Sequence, residues 1–185
     1  MRTVRAMRTP LTLVALVFAL ALVPAPVAAQ HTSHQHSGGA PSEGHLKAQA
    51  CLDEFDAVVR DGRGFGMAFA ADQHGYPGPM HVLELKERLG LSAEQEARVR
   101  AVMHAMFAES RPKGERLLEA EARLRALFAA GRADEAAVRG ATAEVERARA
   151  ELRLVHLLAH LKTRDMLTDP QRRAYHEARW PGRSP

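Results

Sequence analysis

Leu89-Gly90-Leu91-Ser92-Ala93-Glu94-Gln95 reads as the end of one helix followed at once by the start of another. Gly90 can close a helix in the left-handed conformation without a Cβ penalty. Ser92 is a good N-cap. Gln95, three residues on, can return a hydrogen bond to the cap's own N–H. The same device recurs at Leu167-Thr168-Asp169-Pro170-Gln171. There Thr168 is the cap, Pro170 lies in the first turn where its missing N–H costs nothing, and Gln171 closes the box. The chain between the two boxes has the periodicity of helices.

Working outward from the first box, Val99, Val102, Met103, Met106 and Phe107 form a stripe at threes and fours, resumed by Leu117, Leu118, Leu124, Leu127 and Phe128. Pro112 interrupts the run and predicts a bend, because the pattern resumes nearly in phase. Ser92 to Ala130 would then span about 58 Å. Gly131-Arg132-Ala133-Asp134 is a tight turn with Asp134 as a cap. Val138, Ala141, Val145, Ala148, Leu152 and Val155 march back to a helix end near Met166. This is a long antiparallel helical hairpin. Thr168 starts a last short helix bearing Tyr175, and residues 180–185 read as a frayed tail. Upstream, Pro79 opens a short helix, His81 to Leu89, after the rigid turn at residues 75–79. Met67 to Ala71 is small and apolar and is expected to pack on the hairpin. Ala48, Cys51, Leu52, Phe55, Val58 and Val59 predict a lead-in helix from His45 to Asp61. Nothing alternates with period two, so the fold class is all-α: a long bent antiparallel hairpin with short flanking helices. Its arms leave apolar surface uncovered, which a symmetric homodimer would remedy.

Residues 1–29 have the form of a signal peptide. Arg2, Arg5 and Arg8 form a basic region, Leu11 to Val23 an apolar one, and Val27-Ala28-Ala29 a small-x-small cleavage site. The apolar run is shorter than the roughly 20 residues a membrane span needs. Removing the leader lowers the formal net charge from +4 to +1, which takes most support from a nucleic-acid partner. Residues 30–44 read as a disordered His-rich tail, 45–76 as the lead-in helix and a Gly-rich linker, and 77–179 as the helical domain. Cys51 is the only cysteine. No internal disulfide is available, and a small buried apolar residue is the plainest role for it. The glycines of residues 61–66 lack the Lys-Ser/Thr pair of a phosphate loop.

No nucleophile, base and acid stand in a catalytic arrangement, so the expectation is a binding protein and not an enzyme. All ten histidines follow the leader. His156 and His160 share one helix face at a spacing that grips one metal ion. The pair is expected at a surface or interface, facing away from Leu154, Leu158 and Leu161. At the open end of the hairpin, His81, Glu84 and His104 would converge with them. Met103 and Met106 read as core filler. His31, His34 and His36 in the tail would collect a divalent metal on a flexible strand or be only polar. A site of this composition suits Zn, Ni, Co or Cu. Arg98, Arg100, Arg123, Arg125, Arg147, Arg149 and Arg153 line the arms as ordinary solvated charge, or as basic groups that capture an unfolded client.

The two boxes, Leu91-Ser92…Gln95 and Leu167-Thr168…Gln171, resemble the paired LTxxQ motif of the Spy/CpxP/ZraP family, with Ser92 where Thr is usual. The resemblance covers residues 77–179. It implies a cradle-like helical homodimer in the periplasm. It also implies one of three roles: heavy-metal sensing and stress protection, ATP-independent holding of unfolded proteins, or regulation of a membrane-bound sensor or anti-sigma protein. The related nickel/cobalt-sensing branch carries His-x-x-x-Met before its final motif. His156-x-x-x-His160 is similar with His for Met, whereas Leu85 stands where that branch has a second His after the position of His81.

Overall fold

The computed structural model describes residues 41–183 and is all-helical, with no strand among them. Among the described residues seven helices follow one another: α1 (Glu43–Arg60), α2 (Phe69–Gln73), α3 (Pro79–Glu84), α4 (Lys86–Leu89), α5 (Ala93–Ala129), α6 (Glu135–Asp165) and α7 (Asp169–Arg179). Residues 1–29, read above as a signal peptide, and His31, His34 and His36 lie outside the described residues.

Helices α5 and α6 are the bent hairpin. Helix α5 runs unbroken through Pro112 for 37 residues. At the tip, Gly131 takes φ +61° and the Arg132 N–H reaches the Leu127 carbonyl at 2.9 Å, which satisfies carbonyls left open by the helix end. Asp134 then caps α6, its carboxylate accepting from the Ala137 N–H at 2.8 Å. Gly90 closes α4 in the same manner, with φ +59°.

Both expected capping boxes form. Ser92 Oγ accepts from the Gln95 N–H at 3.1 Å while Gln95 Oε1 accepts from the Ser92 N–H at 3.0 Å. Thr168 and Gln171 repeat the exchange at 3.4 and 2.9 Å. The two boxes also meet each other. Gln95 Nε2 donates to Gln171 Oε1 at 2.9 Å and to the Met166 carbonyl at 3.0 Å. Gln171 Nε2 donates to Gln95 Oε1 at 3.0 Å and to the Gly90 carbonyl at 3.4 Å. Each amide therefore caps its own helix with oxygen and clasps the other with nitrogen.

The core is a string of three small clusters. Val82, Leu89, Val99, Leu167 and Tyr175 fill the open end. Met106, Val155 and Ala159 fill the middle. Val59, Leu117, Leu118, Ala120, Val145 and Leu152 lie where α1 crosses the hairpin. That crossing is close. A Cβ on Gly114 would stand 2.7 Å from the Val59 carbonyl oxygen, and Ser110 Oγ donates to the Gly62 carbonyl at 2.7 Å.

Several expectations are corrected. Helix α1 begins at Glu43, inside the stretch assigned to the tail, because Ser42 caps it. Only Val59 of its apolar stripe is buried; Cys51 is exposed, not an interior residue, since the first turns of α1 overhang the hairpin. The short helix expected from His81 to Leu89 is two helices that meet at Leu85. Residues 180–183 are tied down. Trp180 packs edge-on against Phe69 at 5.1 Å, and His176 Nε2 donates to the Arg183 carbonyl at 2.7 Å.

Replacing Gln95 or Gln171 with Ala is expected to lower unfolding stability by about 1–3 kcal/mol each. The double variant should lose clearly less than the sum, because the two side chains share bonds. Urea denaturation of the four proteins tests this; strictly additive losses would mean the clasp carries no joint energy.

Candidate functional site

His156 and His160 lie one turn apart on α6, in the stretch that continues the Val145–Leu152–Val155 core stripe through Ala159 and Thr163. They are buried, at 4 % and 9 % exposure, whereas Leu154, Leu158 and Leu161 are 53 %, 43 % and 47 % exposed. The surface placement expected from sequence is thus reversed. The cause is the segment of residues 61–78, which lays glycine backbone on the two rings. A Cβ on Gly64 would lie 3.0 Å from His156 Cγ, and one on Gly78 would lie 2.8 Å from His160 Nε2. A side chain at either position would force the ring beneath it to shift.

The same segment sets the state of the rings. His160 Nδ1 stands 2.6 Å from the Tyr76 carbonyl. A carbonyl only accepts, so Nδ1 carries the proton and Nε2 the lone pair. His156 Nε2 is buried and has no hydrogen-bond partner. Burial, and secondarily His160, push His156 down to about 4. Burial also holds His160 below its ordinary value, opposed by the Tyr76 carbonyl and by Asp72. Both rings are neutral at pH 7, the form that binds metal.

A cavity of about 280 Å³ opens beside them. His81 of α3 lines it, with Met67, Met80 and Met106. Asp72, the carboxylate on its wall, is 5 % exposed and already engaged. It accepts from the Tyr175 hydroxyl at 2.5 Å and from Arg179 Nη2 at 3.5 Å. Burial and the Asp72 carboxylate push the Tyr175 phenol upward, so it stays a donor.

His81, His156 and His160 line one cavity, and two expected partners are left out of it. Glu84 is exposed and turns to His81, whose Nδ1 lies 2.8 Å from its Oε2. His104 is exposed in a separate hollow with Glu96 and Arg100, because it projects from α5 on a side that Met106 does not share. Among the described residues, no three His, Cys, Asp or Glu side chains gather closely enough to hold a metal ion. Sequence reasoning missed Asp72, Tyr76, Arg179 and the facing glycines. The one signal for Asp72 was an acid directly after the apolar run Met67 to Ala71. Most of the arginines are paired locally: Arg98 with Glu94 at 3.8 Å, Arg100 with Glu96, Arg123 with Glu144 at 3.4 Å and Arg149 with Glu121 at 2.8 Å. Arg147 and Arg153 point outward, and Arg125 borders a groove beside Cys51.

Fold and cavity together define a helical-hairpin protein with a buried, neutral imidazole pair. Residues 64–174, more than half of the chain, match the family described as heavy-metal resistance, and the chain belongs to that family. No curated protein and no solved structure matches the chain.

Because His156 is protonated more readily unfolded than folded, stability should fall as pH falls from about 6.5 to about 4, with His160 acting in the same direction. For His156 alone the loss across that window is roughly 3 kcal/mol. Thermal unfolding of metal-free protein against pH, beside His156→Leu, tests this. The variant should show a shallower decline; identical slopes would show that His156 does not titrate as its burial requires.

Proposed function

We propose that this chain binds a transition-metal ion through His156 and His160, with His81 at the edge of the cavity, and that this binding is its part in metal resistance. The observation that carries the reading is the buried His156 Nε2 with no partner, next to a second neutral imidazole. A buried imidazole nitrogen left unpaired costs free energy unless something satisfies it. Tyr76 orients His160 as an outer-shell group orients a ligand.

The chain is read as an exported, non-enzymatic, dimeric protein of the Spy/CpxP/ZraP type, acting in the periplasm after removal of residues 1–29. The paired boxes and the leader-like first residues support this. A second reading, holding of unfolded clients or docking on a membrane-bound signalling protein, has its own observation. Leu154, Leu158 and Leu161 are exposed on α6, beside a hollow of about 350 Å³ flanked by Arg98 and Lys162. Exposed apolar surface rimmed by charge suits weak capture of extended chains.

Calorimetric titration of the leaderless protein with Zn(II), Ni(II) and Cu(II), beside His156→Ala/His160→Ala and beside a variant without residues 30–40, separates the readings. The double variant is expected to lose affinity by about tenfold or more, roughly 1.4 kcal/mol, while the tail deletion keeps it. Binding that follows only the tail, or no binding tighter than about 100 μM for these ions or for Ag(I) and Cu(I), would overturn the metal site. Suppression of client aggregation without metal would then carry the second reading.

A further inference from the structure

The donors around the cavity specify more than metal binding in general. We infer that the cavity selects a soft monovalent cation, Cu(I) or Ag(I), held between imidazole nitrogen and methionine sulfur, over divalent Zn, Ni or Co. The inference rests on the reading that the cavity binds metal at all.

Three features point to it. The first is ligand supply. Zn sites use three or four nitrogen, oxygen or thiolate ligands, and Ni or Co sites commonly more. The described residues gather no three His, Cys, Asp or Glu side chains for such a site. A soft monovalent ion accepts as few as two ligands, and the two α6 imidazoles supply that number. The second is the identity of the other donors. Of the five described methionines, at positions 67, 80, 103, 106 and 166, three line this one cavity. They come from three places in the fold: the segment before α2, α3 and α5. Leucine would fill the same volume without a sulfur, and thioether sulfur is a soft ligand that favours Cu(I). The third is charge. The carboxylate on the wall, Asp72, is already shared between Tyr175 and Arg179, and Arg179 itself lines the cavity. Among the described residues that line the cavity, no other carboxylate is left to offset an incoming ion. The cost of burying an ion rises with the square of its charge, so a single charge is tolerated where a double charge is not.

The test uses the leaderless chain with Cys51→Ser and with Ala at His31, His34 and His36, because an exposed thiol and tail imidazoles would take the same ions. Ag(I) is titrated in chloride-free buffer. Cu(I) is titrated anaerobically against a chromogenic chelator. Zn(II), Ni(II) and Co(II) are run alongside. Ag(I) and Cu(I) are expected to bind about 100-fold or more tighter than the divalent ions, roughly 2.7 kcal/mol. Met80→Leu/Met106→Leu should lose about tenfold for the soft ions. Its helicity should be unchanged, since Met and Leu are close in volume. X-ray absorption of the Cu(I) form should show sulfur beside nitrogen ligands, and the sulfur contribution should shrink in the double variant. Divalent ions binding as tightly through His156 and His160, or soft-ion binding indifferent to the methionine changes, would overturn the selectivity and leave the metal site standing. Binding of none of the five ions would overturn both.

Discussion

The reciprocal bond between Gln95 and Gln171 closes the open end of the hairpin. A capping box alone is satisfied by Glu or Gln at the third position, because only an acceptor oxygen is needed. Here each side chain also donates. Gln95 Nε2 reaches the Met166 carbonyl, and Gln171 Nε2 reaches the Gly90 carbonyl. Glutamate would cap each helix equally well, but it has no N–H to cross the gap, and two carboxylates would repel at this separation. The requirement for an amide at both positions is therefore physical. It follows from one group serving as acceptor for its own helix and donor to the other.

The clasp fixes what lies around it. It brings the start of α5 beside the junction of α6 and α7, and Val82, Leu89, Val99, Leu167 and Tyr175 pack beneath it. Helix α7 held there presents Tyr175 and Arg179 to Asp72 of α2. That contact pins the segment of residues 61–78, and the segment in turn lays Gly64 and Gly78 on His156 and His160. The imidazole pair is neutral and orientated because a glutamine clasp at the open end of the hairpin holds a glycine-rich strap across the C-terminal part of α6.

Much of the hairpin was legible in the sequence because its signals are local. Ser92 with Gln95, Thr168 with Gln171, and Gly131 with Asp134 each declare a helix end within five residues. The buried face of α6 was legible through Val145, Leu152 and Val155 but not beyond. Val155 and Ala159 compete with Leu154, Leu158 and Leu161 for the interior, and both sets recur at helical spacing. Hydrophobicity favours the leucines. The choice falls on the smaller residues because a strap from about ninety residues upstream needs the space. Cys51 fails for a related reason: the stripe on α1 is helical, but only its last turns meet α5. The joining of the two boxes was invisible too, since nothing in either motif states that its amide nitrogen is spoken for.

Small buried clusters in series give a long hairpin little margin. The charged faces add little to it. Pairs such as Arg98 with Glu94 are exposed and spaced along one helix, and such pairs contribute only tenths of a kcal/mol. Against that modest total, a buried imidazole nitrogen without a partner is a substantial debit. A leucine at position 156 would pack against Gly64 without leaving a polar atom unsatisfied. Keeping histidine there makes the metal-free protein less stable than its fold requires, and a ligand that fills the cavity returns stability in proportion to its affinity. On the proposed reading, the unsatisfied nitrogen is half of a binding interaction and not a packing defect.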